Sequence, residues 1–326
     1  MRRGRPATAT ARRDGRGGRA APAQPERRGA TRAGRRRAGH DGDRARRACG
    51  GLFYDAENCA DASQRVSGGG VRHELVRLDD RVSLDNSQLA GYGLSLDDLK
   101  AFRTWGSLTP GHPEFGHTKG VETTTGPLGQ GIANAVGMAM AARYERGLLD
   151  PNTPQLQSPF DHNIWVICSD GDIQEGVSAE ASSIAGTQAL GSLKVIYDDN
   201  RISIEGDTHY AFTEDVSARY QAYGWNVIEV AAKADGDVDR DALEKAMDAA
   251  LLEVNSPTLI RLKSVIAWPA PKARNTAKSH GSALGADEIA ETKKLLNLPQ
   301  EDFYFPEDVR SHLAELQIRN QKLRTS

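Results

Sequence analysis

The fold is decided by residues 164–172, whose sequence is Ile-Trp-Val-Ile-Cys-Ser-Asp-Gly-Asp. The five apolar residues that open this stretch are typical of a short strand buried on both faces, as in a parallel sheet. The polar residues that follow form a loop at the carboxyl end of that strand. Because ligands of open α/β sheets bind beyond the carboxyl ends of the strands, we expect this loop to carry chemistry.

Helix and strand patterns alternate along the chain outward from this stretch. Ser95 is a candidate N-cap, and Asp97 and Asp98 follow it in the first turn, where acidic side chains suit the helix dipole. The predicted helices are residues 96–103, 130–146, 175–190, 240–254 and 287–296, and the further strands are residues 193–197, 226–230 and 258–266. This alternation predicts an α/β fold, a doubly wound parallel sheet with helices on both faces.

The first ninety residues differ in composition from the rest. Residues 1–50 contain 16 Arg, no Lys and 4 acidic residues, and they lack Leu, Ile, Val, Phe, Trp and Tyr. Such a segment cannot bury enough apolar surface to offset its chain entropy. The composition is typical of a GC-rich gene translated out of frame; a solvated tail and a basic arm or targeting segment are the alternatives. We expect a disordered or aberrant segment at 1–90, a domain at 91–298 and a helical linker at 299–326.

Charge and cysteine content exclude several classes of protein. The formal charge is -2 overall, but it is about +12 within residues 1–50 and therefore about -14 in the remainder. A general basic surface for nucleic acid is not expected, and no apolar run is long enough for a membrane span. The three cysteines, at positions 49, 59 and 168, have no CxxC spacing. A disulfide framework is therefore not expected, and the reducing cytoplasm fits best.

Two polar motifs follow neighbouring strands of the predicted sheet. Asp170 and Gly171 come directly after the first strand, and Asn200 follows the next one. Carboxylate and amide oxygens are hard ligands that suit Mg²⁺ or Ca²⁺, and Gly171 lets a backbone N–H approach a phosphate. Each motif alone also marks an ordinary turn, but together, at two strand ends, they predict an anchor for a metal and a diphosphate.

A long glycine-rich loop precedes the predicted helix at 130–146. It reads Thr-Pro-Gly-His-Pro-Glu at 109–114 and Glu-Thr-Thr-Thr-Gly-Pro-Leu-Gly-Gln-Gly at 122–131. A loop of this length without regular structure is uncommon in a compact domain unless it is functional. His112 and His117 lie in it, although a histidine in a loop is often only solvated.

These motifs together resemble the transketolase family, whose members use thiamine diphosphate. The segments at 108–114, 120–138, 170–186, 197–205 and 279–285 carry the resemblance to the family's N-terminal, diphosphate-binding domain. The resemblance implies a thiamine-diphosphate-binding fold and a role for ten residues. The implied metal ligands are Asp170, Asn200 and the backbone carbonyl of Ile202; Gly126, Leu128, Gly171, Asn200, Ile204 and His280 match cofactor-binding positions; His112, His280 and Glu175 match catalytic positions.

The implied reaction transfers a two-carbon ketol unit from a ketose phosphate to an aldose phosphate in the pentose phosphate pathway. Its cofactors are thiamine diphosphate and Mg²⁺, with Ca²⁺ as a possible substitute. The implied partners are sugar-phosphate substrates and either a homodimer partner or the pyrimidine-domain half of a transketolase, which supplies a glutamate that activates the cofactor. Nucleic acid and membrane are not expected partners.

The sequence also departs from the family pattern. Ser169 stands where the family has the first glycine of Gly-Asp-Gly, and the family's Gly-His-Pro and Ser-x-Gly-His segments are missing near the N-terminus. The pyrimidine-binding domain has no counterpart in these 326 residues. Two classes of function therefore stay open: an enzyme, as a transketolase fragment or split subunit, and a non-catalytic thiamine-diphosphate-binding domain that is inactive alone.

Overall fold

The structure is a computed structural model that describes residues 49–54 and 93–318. Within that second range, residues 113, 120, 122, 125, 159, 305, 310, 312, 313, 316 and 317 are not described. All described residues belong to one compact unit, residues 42–326. Most of the predicted N-terminal segment and the end of the predicted linker lie outside the described residues, so both stay predictions.

A five-stranded parallel sheet forms the centre of this unit. The strands are β1 (Cys49–Tyr54), β2 (Asn163–Cys168), β3 (Leu193–Asp199), β6 (Asn226–Val230) and β7 (Thr258–Lys263), and a short antiparallel pair, β4 (Ile202–Ser203) and β5 (Gly206–Asp207), follows β3. The order across the sheet is β1-β2-β3-β7-β6. The predicted α/β fold with a parallel sheet is confirmed, whereas the edge strand β1 was not predicted, because only its last three residues are large and apolar.

Helices connect the strands and follow the last one. They are α1 (Leu96–Lys100), α2 (Gln130–Leu149), α3 (Asp170–Gln174), α4 (Gly176–Thr187), α5 (Val216–Ala222), α6 (Arg240–Leu252), α7 (Lys278–Gly281) and α8 (Ala286–Leu295). Ser95 caps α1, where its hydroxyl accepts from the backbone of Asp98. The helix ends at Lys100 rather than at 103, because Arg103 has φ 61° and donates its N–H to the carbonyl of Thr109.

The sheet is covered on both faces, and the alternation of side chains along β2 shows why. Ile164 and Val166 pack into a cluster that includes residues of α2 and α4. Trp165 and Ile167 point the other way, into a cluster that includes residues of α6. Because successive side chains of a strand point to opposite faces, one apolar run supplies both cores. The polar chemistry is thereby left to the loops at the strand ends.

Helix α4 approaches the loop after α5 so closely that only glycine fits at one position. A Cβ added at Gly186 would lie 1.8 Å from the carbonyl oxygen of Tyr223, a backbone atom with no rotamer to change. At Gly137 on the exposed side of α2, an added Cβ meets nothing within 4 Å. Packing therefore requires glycine at position 186 but not at position 137.

We predict that Gly186→Ala lowers the free energy of unfolding by about 1–3 kcal/mol, since the added methyl forces the backbones apart. The matched variant Gly137→Ala should raise it by up to about 1 kcal/mol, because alanine is the better helix former. Urea unfolding followed by circular dichroism measures both. Equal effects of the two substitutions would contradict the packing that the structure shows.

Candidate functional site

The loops that follow β2, β3 and β7 carry a connected set of polar side chains. Asp170 follows β2, Asn200 follows β3, and Ser264 follows β7. These three strands are neighbours and run parallel, so their carboxyl ends lie at the same edge of the sheet. This is the edge at which ligands of open α/β sheets bind.

The carboxylate of Asp170 is buried and fixed at both oxygens. Only 2% of the residue is exposed. The Tyr197 hydroxyl donates to Oδ1 at 2.6 Å, and the Arg201 backbone N–H donates to Oδ2 at 3.0 Å. Carboxylate oxygens are also the ligands that Mg²⁺ and Ca²⁺ prefer. The Tyr197 hydroxyl stays protonated as a donor, because burial and the neighbouring Asp170 carboxylate raise its pKa.

The side-chain amide of Asn200 has only one possible orientation. Its Nδ2 donates to Oδ2 of Asp198 at 3.0 Å, and its Oδ1 accepts from the backbone N–H of Ile202 at 2.9 Å. A carboxylate can only accept and an N–H can only donate, so the amide cannot be exchanged end for end. Arg201, between these two residues, has φ 62° and donates to Asp170. The turn thus brings Asp170, Asn200 and Ile202, here called the anchor residues, to one place.

A buried ion-pair group supports this turn from β7. Asp199 is 3% exposed, and its Oδ2 accepts from Nε of Arg261 at 2.6 Å and from Nζ of Lys263. Oδ1 of Asp198 accepts from the hydroxyl of Ser264. These pairs hold the end of β3 against β7, and the two cations neutralise Asp199. Because its charge is already paired, Asp199 is not among the predicted metal ligands, although it adjoins Asn200.

The second aspartate of the Ser-Asp-Gly-Asp motif has a structural role. Asp172 is completely buried; its Oδ1 accepts from the backbone N–H of Gly129 at 3.1 Å, and its Oδ2 accepts from that of Ser169 at 3.0 Å. It therefore ties the glycine-rich loop to the end of β2. Gly129 has φ 77°, and a Cβ there would lie 2.7 Å from the Ser178 hydroxyl, so this junction requires glycine.

Ser169, the departure from the family pattern, is accommodated locally. Its φ of -120° is extended backbone that any residue adopts. Its hydroxyl lies 3.4 Å from Oδ2 of Asp172, the same carboxylate that receives its N–H. Gly171, which matches the second glycine of the family's Gly-Asp-Gly pattern, is buried in α3 directly after Asp170. Nothing at position 169 requires glycine here.

His280 and Ile204 lie on neighbouring segments. His280 is on α7 and 4% exposed, and within the described part of the chain its Nδ1 has no hydrogen-bond partner. Ile204, in the turn between β4 and β5, is 63% exposed, and its Cγ1 is 3.9 Å from a Cβ placed at Gly281. A buried imidazole nitrogen without a partner beside an exposed apolar side chain is the arrangement expected of a site completed by a ligand.

The remaining predicted residues lie in or beside the glycine-rich loop. His112 is exposed, and its Nδ1 would be 3.3 Å from a Cβ at Gly126, which has φ 156°. Leu128 is half-buried next to Gly129. Glu175 is exposed at the start of α4, with its Cβ 3.0 Å from the position of a Cβ at Gly129. Their roles in binding and catalysis stay predictions.

The anchor residues fit a hard cation by the chemistry of their donors. Among the residues that the structure describes, no three His, Cys, Asp or Glu side chains come together as a metal site. The anchor contains one such side chain, Asp170, and adds an amide oxygen and a backbone carbonyl. Oxygen-only donors of this kind suit Mg²⁺ or Ca²⁺.

Comparison with known proteins agrees with this geometry. The family model described as "Transketolase, thiamine diphosphate binding domain" matches residues 83–326. The chain belongs to the transketolase family. Its relatives include the transketolases of Mycobacterium leprae (strain TN), 55% identical over 235 residues, and of Geobacillus stearothermophilus, 48% identical over 225 residues. These alignments cover 72% and 69% of this chain and 33% of each relative.

A solved structure of a transketolase from Pichia stipitis, in complex with sedoheptulose-7-phosphate, is similar in fold. It is 44% identical, with a TM-score of 0.66, over 73% of this chain and 34% of that one. The chain thus spans about a third of the length of the transketolases it matches. In the described part of the chain, no helix has both the length and the apolar character needed to cross a membrane.

Sequence reasoning missed several residues that shape the site. Tyr197 and Asp198 orient Asp170 and Asn200, and Arg261 with Lys263 secures the turn. Tyr197 ends the predicted strand at 193–197 and Asp198 follows it directly, so a signal for them exists in the sequence. The sequence does not show, however, which polar group each one contacts.

Proposed function

We propose that the anchor residues hold Mg²⁺, and through it the diphosphate of thiamine diphosphate, as part of a transketolase reaction. The observation that carries the proposal is the pair of oriented side chains, Asp170 and Asn200, which contact Arg201 and Ile202 of one turn in a chain of this family. The diphosphate is strongly anionic, and a divalent cation between it and the Asp170 carboxylate removes their repulsion. Ca²⁺ suits the same oxygens and is proposed as a substitute.

The other site residues are proposed to bind and orient the rest of the cofactor and the sugar. When bound, thiamine diphosphate supplies a carbon nucleophile that stabilises a carbanion. Ile204 provides an apolar surface, and low polarity favours that chemistry. The unpartnered Nδ1 of His280 is available to a polar group of the ligand. His112 is proposed to face the donor sugar, and Glu175 to join a carboxylate network between the two sites of a dimer.

The proposed reaction is transfer of a two-carbon ketol unit from a ketose phosphate to an aldose phosphate, a step of the pentose phosphate pathway, and the proposed setting is the cytoplasm. By resemblance, the cofactor lies between this domain and the pyrimidine-binding domain of a partner subunit. That second domain supplies the glutamate that activates the cofactor. Binding by the anchor alone does not lower the reaction barrier, because catalysis needs groups that stabilise the transition state.

We predict that Asp170→Ala weakens Mg²⁺-dependent binding of thiamine diphosphate by at least about tenfold, because even changes behind the ligands cost about 10- to 100-fold. Isothermal titration calorimetry in Mg²⁺, and again in EDTA, measures the effect. Asp248→Ala, a change at an exposed position of α6, is the control and should leave the affinity unchanged. Equal affinities of wild type and Asp170→Ala would contradict the assignment.

We further predict that a polypeptide of these 326 residues shows no ketol transfer by itself. The assay uses xylulose-5-phosphate and ribose-5-phosphate with Mg²⁺ and thiamine diphosphate. Addition of a transketolase pyrimidine-domain fragment should give measurable turnover, which Asp170→Ala abolishes. Robust turnover by the polypeptide alone would show that it is more than the diphosphate-binding part of an active site.

A further inference from the structure

The end of β3 presents two consecutive polar side chains to opposite faces of the sheet. Tyr197 belongs to the core cluster that includes α2 and α4, and its hydroxyl contacts Asp170. Asp198 points away from that cluster and contacts Asn200 and Ser264. Both residues are nearly fully buried, at 2% and 4% exposed. Each therefore contacts a different anchor side chain.

We infer that Tyr197 and Asp198 are positioning residues for the metal: Tyr197 sets the rotation of the Asp170 carboxylate, and Asp198 sets the orientation of the Asn200 amide. This inference rests on the proposed function, because it assigns the supports of the same anchor. Neither residue is itself a ligand. They act by holding the two ligand side chains in the arrangement that a cation requires.

Tyr197 acts on Asp170 through the geometry of its hydrogen bond. A carboxylate on a single-bonded side chain rotates freely unless both oxygens are held. The Arg201 N–H fixes one oxygen of Asp170 at 3.0 Å, and the Tyr197 hydroxyl fixes the other at 2.6 Å. Without the hydroxyl, the carboxylate loses the donor that holds Oδ1 in this orientation. A cation then has to order the carboxylate as it binds, which reduces its affinity.

Asp198 determines which end of the Asn200 amide faces the cation. Nδ2 of Asn200 is repelled by a cation, whereas Oδ1 binds it. Asp198 accepts a hydrogen bond from Nδ2 at 3.0 Å, so the opposite end of the amide, Oδ1, accepts from the Ile202 N–H. An amide oxygen has a second lone pair, which can bind a cation. Alanine at position 198 removes this acceptor. Asparagine keeps a carbonyl oxygen that can accept from Nδ2, so it should preserve the orientation.

The chain supplies a matched control for Tyr197. Tyr220 is equally buried, at 1% exposed, and its hydroxyl accepts from the Ser182 hydroxyl at 3.1 Å, which is not part of the anchor. Tyr197→Phe and Tyr220→Phe each delete one buried hydroxyl from the same core cluster. A loss of packing or of general stability should therefore affect both variants alike.

The experiment titrates thiamine diphosphate into wild type, Tyr197→Phe, Tyr220→Phe and Asp170→Ala by calorimetry, in Mg²⁺ and in EDTA, with thermal unfolding recorded for each. We expect Tyr197→Phe to weaken the Mg²⁺-dependent binding of thiamine diphosphate by about 10- to 100-fold. Tyr220→Phe should stay within twofold of wild type. Asp198→Ala should lose affinity and Asp198→Asn should recover most of it, which tests the inference independently of Tyr197.

The outcomes separate the two proposals. If wild type binds with Mg²⁺ dependence and Asp170→Ala does not, while Tyr197→Phe and Asp198→Ala match wild type, the positioning role is wrong and the proposed function stands. If wild type and Asp170→Ala do not differ, both proposals are wrong. Equal losses of affinity in Tyr197→Phe and Tyr220→Phe would also overturn the inference. They would show that removal of any buried hydroxyl from this core cluster weakens binding, whether or not it contacts an anchor residue.

Discussion

The whole site depends on keeping one buried carboxylate, that of Asp170, in a fixed orientation. The phenol of Tyr197 and the backbone N–H of Arg201 donate to its two oxygens, and neither of these donors carries a charge. A lysine or arginine in that place would satisfy the charge and compete with a metal. These neutral donors orient the carboxylate, and the cost of burying its charge is reduced when a cation binds.

The parallel sheet makes this arrangement possible. Its central strands are buried on both faces, so packing fixes their register. The carboxyl ends of β2, β3 and β7 therefore hold the loops that follow them in fixed positions relative to one another. The nearby Asp199 shows the contrast, since Arg261 and Lys263 neutralise it and it serves as a support. Asp170 and Asp199 lie at the ends of neighbouring strands and differ in their neighbours, because β7 places two cations on Asp199.

Much of this could be predicted from the sequence, and the limits have physical causes. The apolar run of β2 and the polar residues after it predicted the parallel strand and the position of Asp170 and Asn200. Periodicity does not reveal which polar groups meet across strands, so the roles of Tyr197 and Asp172 were not visible. The edge strand β1 was missed because Gly50 and Gly51 have little strand propensity. The tolerance of Ser169 could only be read from its backbone angles.

Three oxygens, from Asp170, Asn200 and Ile202, are proposed to hold the cation that binds the diphosphate. A crystal structure of the chain soaked with Mn²⁺ and thiamine diphosphate shows whether they do, because Mn²⁺ is located by its anomalous signal. We predict a single peak within about 2.5 Å of the Asp170 carboxylate, Oδ1 of Asn200 and the carbonyl oxygen of Ile202. A Mn²⁺ peak at another place, or an Asn200 amide with Nδ2 turned toward the metal, would show that these three oxygens do not hold the cation.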